Sequence, residues 1–169
     1  MKMEQMIELD ESYLPEMAEL YKTAFGGDPW HDDWSDRNQL MEYMREISSC
    51  YRALNYGLLI DGRLVAFSVG MIRHWWEGTN YNIEEFCVTP DLQGQGIGSR
   101  FMKQIEDKIR ERGLAGIFLQ TDKDKPSYRF YQKNGFGELE LHVSFYKKIS
   151  RESGENGEKT DKYDHECRQ

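Results

Sequence analysis

A chain of 169 residues, of which 38% are hydrophobic and 31% charged, is long enough for one globular domain with its own core. The net charge of −8 equals that of the first 50 residues, which hold 4 basic and 12 acidic side chains. Such an acidic surface argues against nucleic acid as a partner and favours either a cationic ligand or plain solvation of that surface.

The sequence also argues against membrane insertion and secretion. No apolar run approaches the roughly 20 residues of a membrane span, and the N-terminal residues lack the apolar core of a signal peptide. The cysteines Cys50, Cys87 and Cys167 are scattered, without the spacing of a zinc site or of a disulfide framework. We therefore expect a cytoplasmic protein that contacts no membrane.

Apolar periodicity, capping residues and turn residues predict the elements of the first 90 residues. The pair Asp61-Gly62 between two apolar runs is a strong hairpin signal, and Pro90 closes the strand before it. In chain order we expect a strand over 6–9, a helix from Asp10 or Ser12 to Phe25, a helix capped by Ser35, strands over 56–60 and 63–72, and a strand over 81–89.

The rest of the chain predicts two further helices, each ended by a glycine, Gly113 and Gly135. We expect a helix from Ile97, a strand over 115–121, a helix over 126–134 and a final strand or strands over 137–149. Residues 150–169 are polar and should form a disordered tail after a domain of residues 1–149. The order β-α-α-β-β-β-α-β-α-β indicates an α/β or α+β fold with a mixed sheet.

A glycine-rich segment, QGQGIG (93–98), lies between a predicted strand and a predicted helix. Backbone N–H groups that converge before a helix form an anion site, and glycines let a phosphate approach the backbone closely. The dinucleotide motif GxGxxG fails at Ser99, and the motif GxxxxGK[ST] is absent from the chain. The segment therefore needs another phosphate-bearing ligand, or it is a plain turn.

The segment QGQGIG after a strand ending in VTP resembles the phosphate loop [QR]-x-x-G-x-[GA] of the GNAT superfamily of acetyl-CoA-dependent N-acetyltransferases. A second segment, FYQKNGF (130–136), is similar to the FYxxxGF segment of that family. The resemblance covers the element order of about residues 5–148 and is dense over 81–137. It implies a mostly antiparallel central sheet flanked by helices and an acyltransferase activity.

The resemblance implies acetyl-CoA as co-substrate. The pyrophosphate would lie on the loop amides, and basic side chains such as Arg100, Lys103, Lys125 or Arg129 would reach the peripheral phosphate. Asp124 stands where many members carry Asn, which weakens the case for a pantetheine contact there. The cofactor-binding residues carried over are Phe86, Cys87, Val88, Gln93, Gly94, Gln95, Gly96, Ile97, Gly98, Ser99, Arg100, Asp124 and Tyr131.

Acetyl transfer needs a neutral amine, a polarised thioester carbonyl and a proton for the leaving thiolate. The resemblance implies that Tyr131 gives that proton and that a backbone N–H near Cys87 or Val88 polarises the carbonyl. Glu84 and Glu85 are the candidate bases, because burial in the strand IEEFCV would raise a carboxylate pKa. Strand alternation places Glu85 with Cys87 and opposite Phe86, so we favour Glu85, directly or through water.

Two other chemistries are not favoured. Cys87 has no histidine nearby in sequence to activate it, so we expect a small buried apolar residue rather than a nucleophile. The four histidines, His31, His74, His142 and His165, show no ligand spacing, and we expect no metal.

The acceptor is expected to be a small cationic amine, aminoglycoside-like or polyamine-like. Aromatic faces beside carboxylates attract cations, and the resemblance implies acceptor sites in two loops that carry such residues here. Those residues, with Glu85, are Trp30, Asp32, Asp33, Trp34, Trp75 and Trp76. A protein or peptide amine, a non-catalytic acyl-CoA sensor and a homodimer all remain open.

Overall fold

A computed structural model describes residues 3–149. The first compact unit ends at Gly137 and contains every helix and strand of the described chain. No helix among these residues is both long enough and apolar enough to cross a membrane. The predicted tail, residues 150–169, lies outside the described residues, and the domain boundary at residue 149 stays a prediction.

The unit contains five strands and four helices. They are β1 (Glu4–Glu8), α1 (Leu14–Phe25), α2 (Arg37–Ser48), β2 (Tyr56–Ile60), β3 (Arg63–Trp75), β4 (Gly78–Val88), α3 (Ile97–Glu111), β5 (Gly116–Phe118) and α4 (Pro126–Lys133). The strands form one sheet in the order β1-β2-β3-β4-β5, antiparallel except for the parallel pair β4–β5. The predicted mixed, mostly antiparallel α/β fold is confirmed.

Two apolar clusters cover the two faces of the sheet. One contains Phe101, Met102 and Ile105 of α3, with Phe130 of α4 packed against it. The other contains the buried faces of α1 and α2, including Met17 and Met44. The side of the sheet that a strand residue faces therefore decides whether it lies with α3 and α4 or with α1 and α2.

Helix capping explains where the first two helices begin. The side chain of Asp10 accepts a hydrogen bond from the Ser12 N–H and starts a 3-10 turn before α1. The cap of α2 is Asp36, whose side chain accepts from the N–H groups of Asn38 and Gln39. The sequence prediction of Ser35 was wrong by one residue, because the carboxylate of Asp36 is the group that reaches both amides.

The strand predicted over 137–149 is wrong, because those residues form no strand in the structure. Their apolar side chains alternate along the chain, which is the pattern of a strand, yet they bury no face. Because a strand exists only through hydrogen bonds to a neighbouring strand, alternation alone does not make one. The exposed apolar residues are Leu139, Leu141, Val143, Phe145, Tyr146 and Ile149.

Candidate functional site

The glycine-rich loop adopts a backbone that its glycines make accessible. Gly94 has a φ of 73° and Gly96 a φ of 76°, both in the left-handed region, and Gly96 is the residue before α3. A Cβ on Gly98 would lie 3.1 Å from the Phe130 ring. Gly94 and Gly96 thus shape the turn, while Gly98 lets α3 approach α4.

The loop amides are available to a ligand. Among the described residues, the backbone N–H groups from Gly94 to Ser99 donate to no protein acceptor, and the first helical bond of α3 runs from the Arg100 N–H to Gly96 O. Such unpaired amides at the start of a 15-residue helix suit the phosphates of coenzyme A. Ile97 is buried beneath them and anchors the helix.

Side chains around the loop fix its position. The Gln93 amide donates to Val88 O over 2.9 Å, and the Gln95 amide donates to Asp91 O over 3.1 Å. Arg100 donates to Gln95 O over 3.3 Å and forms an ion pair with Glu4 over 3.4 Å. Gln93 therefore ties the loop to the end of β4. The Arg100 side chain is already bonded to the loop and to Glu4, in addition to any contact that it makes with a phosphate.

β4 is open along the second half of its outer edge. It pairs with β3 as far as Val88, but with β5 only over Asn80, Tyr81 and Asn82. The two parallel strands therefore separate beyond Asn82, and the backbone groups on that edge of β4 lack a strand partner. A gap of this kind beside the glycine loop can accept an extended ligand through backbone hydrogen bonds.

Alternation along β4 identifies the open groups at its end. The Thr89 N–H donates to Val65 O of β3, so the N–H of Val88 points away from β3 and that of Cys87 points towards it. Val88 therefore carries the open N–H, and the prediction for the Cys87 N–H was wrong because that group lies on the β3 side. The side chain of Phe86 stacks between Phe101 and Phe130.

A β-bulge turns Glu85 towards α1 and α2. Val69 of β3 pairs with Glu85 and the next residue, Gly70, pairs with Ile83, so Glu84 is an extra residue in β4. Ile83 packs in the cluster of α3, whereas Cys87, two residues beyond Glu85, packs in that of α1 and α2. The extra residue therefore switches the face on which odd-numbered side chains lie.

Glu85 is the largely buried carboxylate of the site. The Tyr21 and Tyr43 hydroxyls both donate to its Oε1, over 3.0 Å and 2.5 Å. Burial raises the pKa of Glu85, the two tyrosine hydrogen bonds lower it, and the net direction is upward. Glu84 is exposed at the bulge, so of the two candidate bases only Glu85 is largely buried.

Tyr131 lies close enough to Glu85 for the charge of that carboxylate to act on it. Burial raises the pKa of Tyr131 most, followed by the negative charge of Glu85. Its ring packs against Phe130 and Phe136, with centroids 5.2 Å and 5.4 Å away. The hydroxyl has no hydrogen-bond partner among residues 3–149 and is not sealed from solvent, so a protonated phenol is available in the site.

The thiol of Cys87 is buried, and its pKa is raised well above the usual value, mainly by burial. A protonated, enclosed thiol is a poor nucleophile. The structure therefore agrees with a packing role for this side chain.

The loop between α1 and α2 brings aromatic rings to Glu85. Trp34 stacks on Tyr43 with centroids 5.2 Å apart and meets Tyr21 edge-on at 5.4 Å. The charge of Asp32 acts on Glu85 and raises its pKa. Asp33 instead accepts from the Ser35 N–H and shapes the loop.

The second predicted acceptor loop does not join this group. Trp75 and Trp76 are 61% and 82% exposed at the turn between β3 and β4. Along β4, Glu85 lies seven residues from Gly78 at the turn, or about 23 Å at the usual rise of a strand. Their prediction as contacts of the same acceptor site as Glu85 was wrong, because the strand separates them.

Lys125 connects the start of α4 to the loop between α1 and α2. Its Nζ donates to Pro29 O over 3.0 Å and lies 5.7 Å from the centre of the Trp30 ring. Trp30 in turn packs on Phe25. Lys125 therefore holds the loop in place. The side chain of the neighbouring Asp124 is 78% exposed, and its Oδ2 lies 3.9 Å from Lys125 Nζ.

Sequence reasoning missed the tyrosine partners of Glu85. Tyr21 lies on the apolar face of α1, and neither Tyr21 nor Tyr43 was predicted as a site residue. Aromatic residues at helical spacing usually fill a core, so only the tertiary contact of two helices with the bulged strand shows their polar role. No group of three or more potential metal ligands occurs within residues 3–149, and the expectation of no metal stays a prediction.

The sheet opens between two parallel strands, with unpaired amides at a helix start on one side and a largely buried carboxylate on the other, an arrangement that suits acyl transfer. Residues 14–136 match the model of the Acetyltransferase (GNAT) family. The chain belongs to this family, whose enzymes transfer acyl groups and use acetyl-CoA as co-substrate. The predicted family and enzyme class are confirmed.

Named relatives share the family but differ in acceptor. The chain is 29% identical over 96 residues to the [ribosomal protein bS18]-alanine N-acetyltransferase of Escherichia coli K12, which is 56% of this chain and 62% of that protein. It is 30% identical over 93 residues to the streptothricin acetyltransferase of Streptomyces lavendulae, 54% of this chain and 48% of that protein. The matches therefore span less than two thirds of these relatives.

Solved structures show the same fold. The aminoglycoside N-acetyltransferase AAC(6')-Iy in complex with CoA aligns with a TM-score of 0.67 at 18% identity, covering 89% of this chain and 97% of that one. An aminoglycoside acetyltransferase from an uncultured soil metagenomic sample, in complex with sisomicin, aligns with a TM-score of 0.67 at 20% identity, covering 87% and 97%.

Replacing Gly96 by Ala is expected to weaken coenzyme A binding about tenfold, measured by titration calorimetry. The site has room, since the nearest atom to a new Cβ is Arg100 Nη1 at 3.5 Å, but a side chain at this positive φ costs roughly 1–2 kcal/mol and moves the loop amides. The matched control is Gly113→Ala, which puts the same strain at a φ of 70° outside the loop. Equal coenzyme A affinity in both variants would show that the loop is not part of the coenzyme A binding site.

Proposed function

We propose that the chain transfers the acetyl group of acetyl-CoA to a primary amine of a small cationic molecule, aminoglycoside-like or polyamine-like. The observation that carries this proposal is Glu85, a largely buried carboxylate turned by a bulge into an aromatic cluster beside Tyr131. A buried charge is costly unless it is paired, and an ammonium group is a suitable counter-ion for a carboxylate. The acidic N-terminal third supplies a field of the same sign.

The donor side of the site fits acetyl-CoA. The unpaired amides of Gly94 to Ser99 would bind the pyrophosphate, and the gap between β4 and β5 would receive the pantetheine arm. The open N–H of Val88 would donate to the thioester oxygen and stabilise the negative charge that develops there.

The reaction then follows as a direct transfer. Glu85 takes a proton from the substrate ammonium, and the neutral nitrogen forms its bond to the acetyl carbon. The carbon–sulfur bond breaks, Tyr131 protonates the departing thiolate, and the proton left on the new amide nitrogen passes to solvent. The proton taken up by Glu85 then passes to the Tyr131 phenolate, which restores both groups. The phenol of Tyr131 is protonated at neutral pH, which is the form that a general acid needs, and burial raises its pKa further.

The acceptor side favours a cation that also carries hydroxyl groups. Tyr21, Trp34 and Tyr43 present aromatic faces next to the carboxylate, and such faces attract cations. The indole N–H of Trp34 is buried without a partner within residues 3–149, at a cost of about 1–3 kcal/mol. In the proposed reaction a hydroxyl oxygen of an aminoglycoside-like acceptor would accept a hydrogen bond from this N–H.

A second candidate function is acetylation of a protein or peptide amine. It is favoured by the relative whose name gives an alanine of ribosomal protein bS18 as its acceptor. A third, a non-catalytic acyl-CoA sensor, has no need of Glu85 or Tyr131. The density of carboxylate and aromatic groups around Glu85 supports the small cation over both.

A substrate screen tests the proposal. Purified protein is incubated with acetyl-CoA and a panel of polyamines, aminoglycosides, neutral amines, acidic amines and a short peptide with an N-terminal alanine, and released thiol is measured. We expect turnover with the polycations. Turnover with the peptide or the neutral amines alone would overturn the acceptor class, and coenzyme A binding without any turnover would support the sensor.

Replacing Tyr131 by Phe is expected to lower kcat about 100-fold with little change in the KM for acetyl-CoA, because the departing thiolate loses its proton donor. The matched control is Tyr128→Phe, the same change on the same helix, at a hydroxyl that accepts a hydrogen bond from the side chain of Gln132. Steady-state kinetics on both variants check this prediction. A Tyr131→Phe variant with the full rate would mean that water, and not Tyr131, protonates the departing thiolate.

A further inference from the structure

The two oxygens of the Glu85 carboxylate have different surroundings. Both tyrosine hydroxyls donate to Oε1, that of Tyr21 over 3.0 Å and that of Tyr43 over 2.5 Å. Within residues 3–149, Oε2 accepts no hydrogen bond from the protein. The two oxygens of a carboxylate are chemically equivalent when neither has a partner. In Glu85 the two hydrogen bonds to Oε1 make them different and leave Oε2 as the oxygen without a protein donor among these residues.

We propose that Tyr21 and Tyr43 are positioning residues that clamp Oε1 of Glu85 and so present Oε2 to the acceptor amine. The inference rests on the proposed function, in which Glu85 takes the proton of that amine. The proton would pass from the ammonium nitrogen to Oε2, and the nitrogen lone pair that remains would attack the acetyl carbon.

The clamp is rigid because its two hydroxyls come from different helices that are packed together. Tyr21 belongs to α1 and Tyr43 to α2, and their ring centroids lie 5.6 Å apart. Trp34 contacts both rings, and Phe25 meets Tyr21 with centroids 4.5 Å apart. Neither phenol can leave Oε1 without disturbing this aromatic cluster, so the carboxylate plane is held as well.

Phenol hydroxyls suit this task better than cationic donors would. They stabilise the ionised carboxylate against its burial, yet they leave its full negative charge to attract an ammonium ion. An arginine in their place would have neutralised the charge. The burial that raises the pKa of both tyrosines also keeps the hydroxyls protonated and able to donate.

The titratable groups around Glu85 lie on α1, α2, the loop between them, β4 and α4. Asp32 in the loop between α1 and α2 and Glu84 in β4 raise its pKa, whereas the two tyrosine hydrogen bonds lower it. Tyr131 of α4 and Cys87 of β4 are affected by its charge in turn. None of these groups is cationic, so the tyrosines are the chief groups that stabilise the charged form.

The test uses Tyr21→Phe, Tyr43→Phe and the double variant, each of which removes one or two hydroxyls and keeps the rings. We expect the acidic limb of the pH profile of kcat/KM to move to higher pH by roughly one unit per lost hydrogen bond, since a hydrogen bond to a charged group is worth about that much. Tyr51→Phe, at a side chain 89% exposed, is the control and should leave the profile unchanged.

A second measurement does not depend on turnover. The carboxyl carbon of Glu85 is followed by NMR as pH changes, its resonance assigned by its loss in Glu85→Gln. The titration midpoint should rise in the tyrosine variants by the same amount as the kinetic limb, and thermal unfolding shows that each variant is folded.

The outcomes separate the inference from the proposed function. Wild-type protein that acetylates no amine overturns the proposed function, whatever the NMR midpoint does. Wild-type turnover with pH profiles that do not move in folded tyrosine variants overturns the clamp, as does an NMR midpoint that stays in place. Parallel shifts of the profile and the midpoint support it.

Discussion

Replacing Glu85 by Gln is expected to lower kcat/KM for a cationic amine by about 100- to 1,000-fold, because the substrate ammonium loses both its counter-ion and its proton acceptor. The amide has nearly the same shape and still offers an oxygen to Tyr21 and Tyr43, so the fold should be kept. The acidic limb of the pH profile should also disappear, since the group that titrates there is gone.

The comparison variant for Glu85→Gln is Glu84→Gln, which removes the same charge one residue away. Glu84 is exposed at the bulge and faces solvent, so we expect this variant to retain most of the activity. Equal losses in the two variants would mean that the overall negative field, and not the buried carboxylate, drives the reaction. Steady-state kinetics over a range of salt concentrations distinguishes these cases, because a surface field is screened by salt.

Glu85→Gln should also stabilise the folded protein at neutral pH. The folded state raises the pKa of Glu85, so the folded state binds more protons than the unfolded state between the two pKa values. Stability is therefore present at low pH and falls as pH rises through the folded pKa. We expect Glu85→Gln to melt at a higher temperature than the wild type at pH 8 and to lose that advantage at low pH.

Lower activity together with higher stability in Glu85→Gln would identify Glu85 as a functional residue. A structural residue is expected to lower stability when it is removed, whereas a buried charge retained for function raises stability when it is neutralised. Scanning calorimetry at two pH values is enough to tell which applies. A variant less stable than the wild type at pH 8 would indicate that the tyrosine–carboxylate group holds α1 and α2 on the sheet.

The donor side of the site was largely predictable from sequence. The glycine loop and the strand before it are local features, and local geometry follows from residue type, as it does for the positive φ of Gly96. Gly94 stands at an unspecified position of the motif [QR]-x-x-G-x-[GA], yet its φ of 73° makes it part of the turn. It also assigned the open backbone group to either Cys87 or Val88, because strand pairing is what decides between them.

The acceptor side was predictable only in part, because it depends on contacts between distant elements. Alternation near the end of β4 correctly grouped Glu85 with Cys87. Extended over the whole strand, the same rule would have grouped Glu85 with Ile83, which lies on the other face. Nothing in the sequence of β4 predicts the bulge at Glu84. The residue that explains the bulge lies in β3.

That cause is Gly70. A Cβ at this position would lie 2.0 Å from the backbone oxygen of Asn82, a contact that no side chain can make. β3 therefore approaches β4 closely enough to form the bulge only where it carries a glycine, and the bulge is what directs Glu85 to the tyrosines. The orientation of the proposed base thus depends on a residue in the neighbouring strand.

Replacing Gly70 by Ala is expected to lower the free energy of unfolding by about 3 kcal/mol, because the backbones of β3 and β4 must move apart in a packed core. The melting temperature should fall by roughly 10 °C. Gly137→Ala is the matched control, since a Cβ there meets no atom within 4 Å.

The activity of folded Gly70→Ala, measured well below its melting temperature, separates stability from geometry. If the bulge directs Glu85, kcat/KM should fall by about the same factor as in Glu85→Gln. Adding Glu85→Gln to Gly70→Ala should then lower kcat/KM little further, because both changes remove the same carboxylate from the site. Full activity in the folded alanine variant would show that Glu85 reaches the amine without the bulge, and the link between the two strands would then be structural alone.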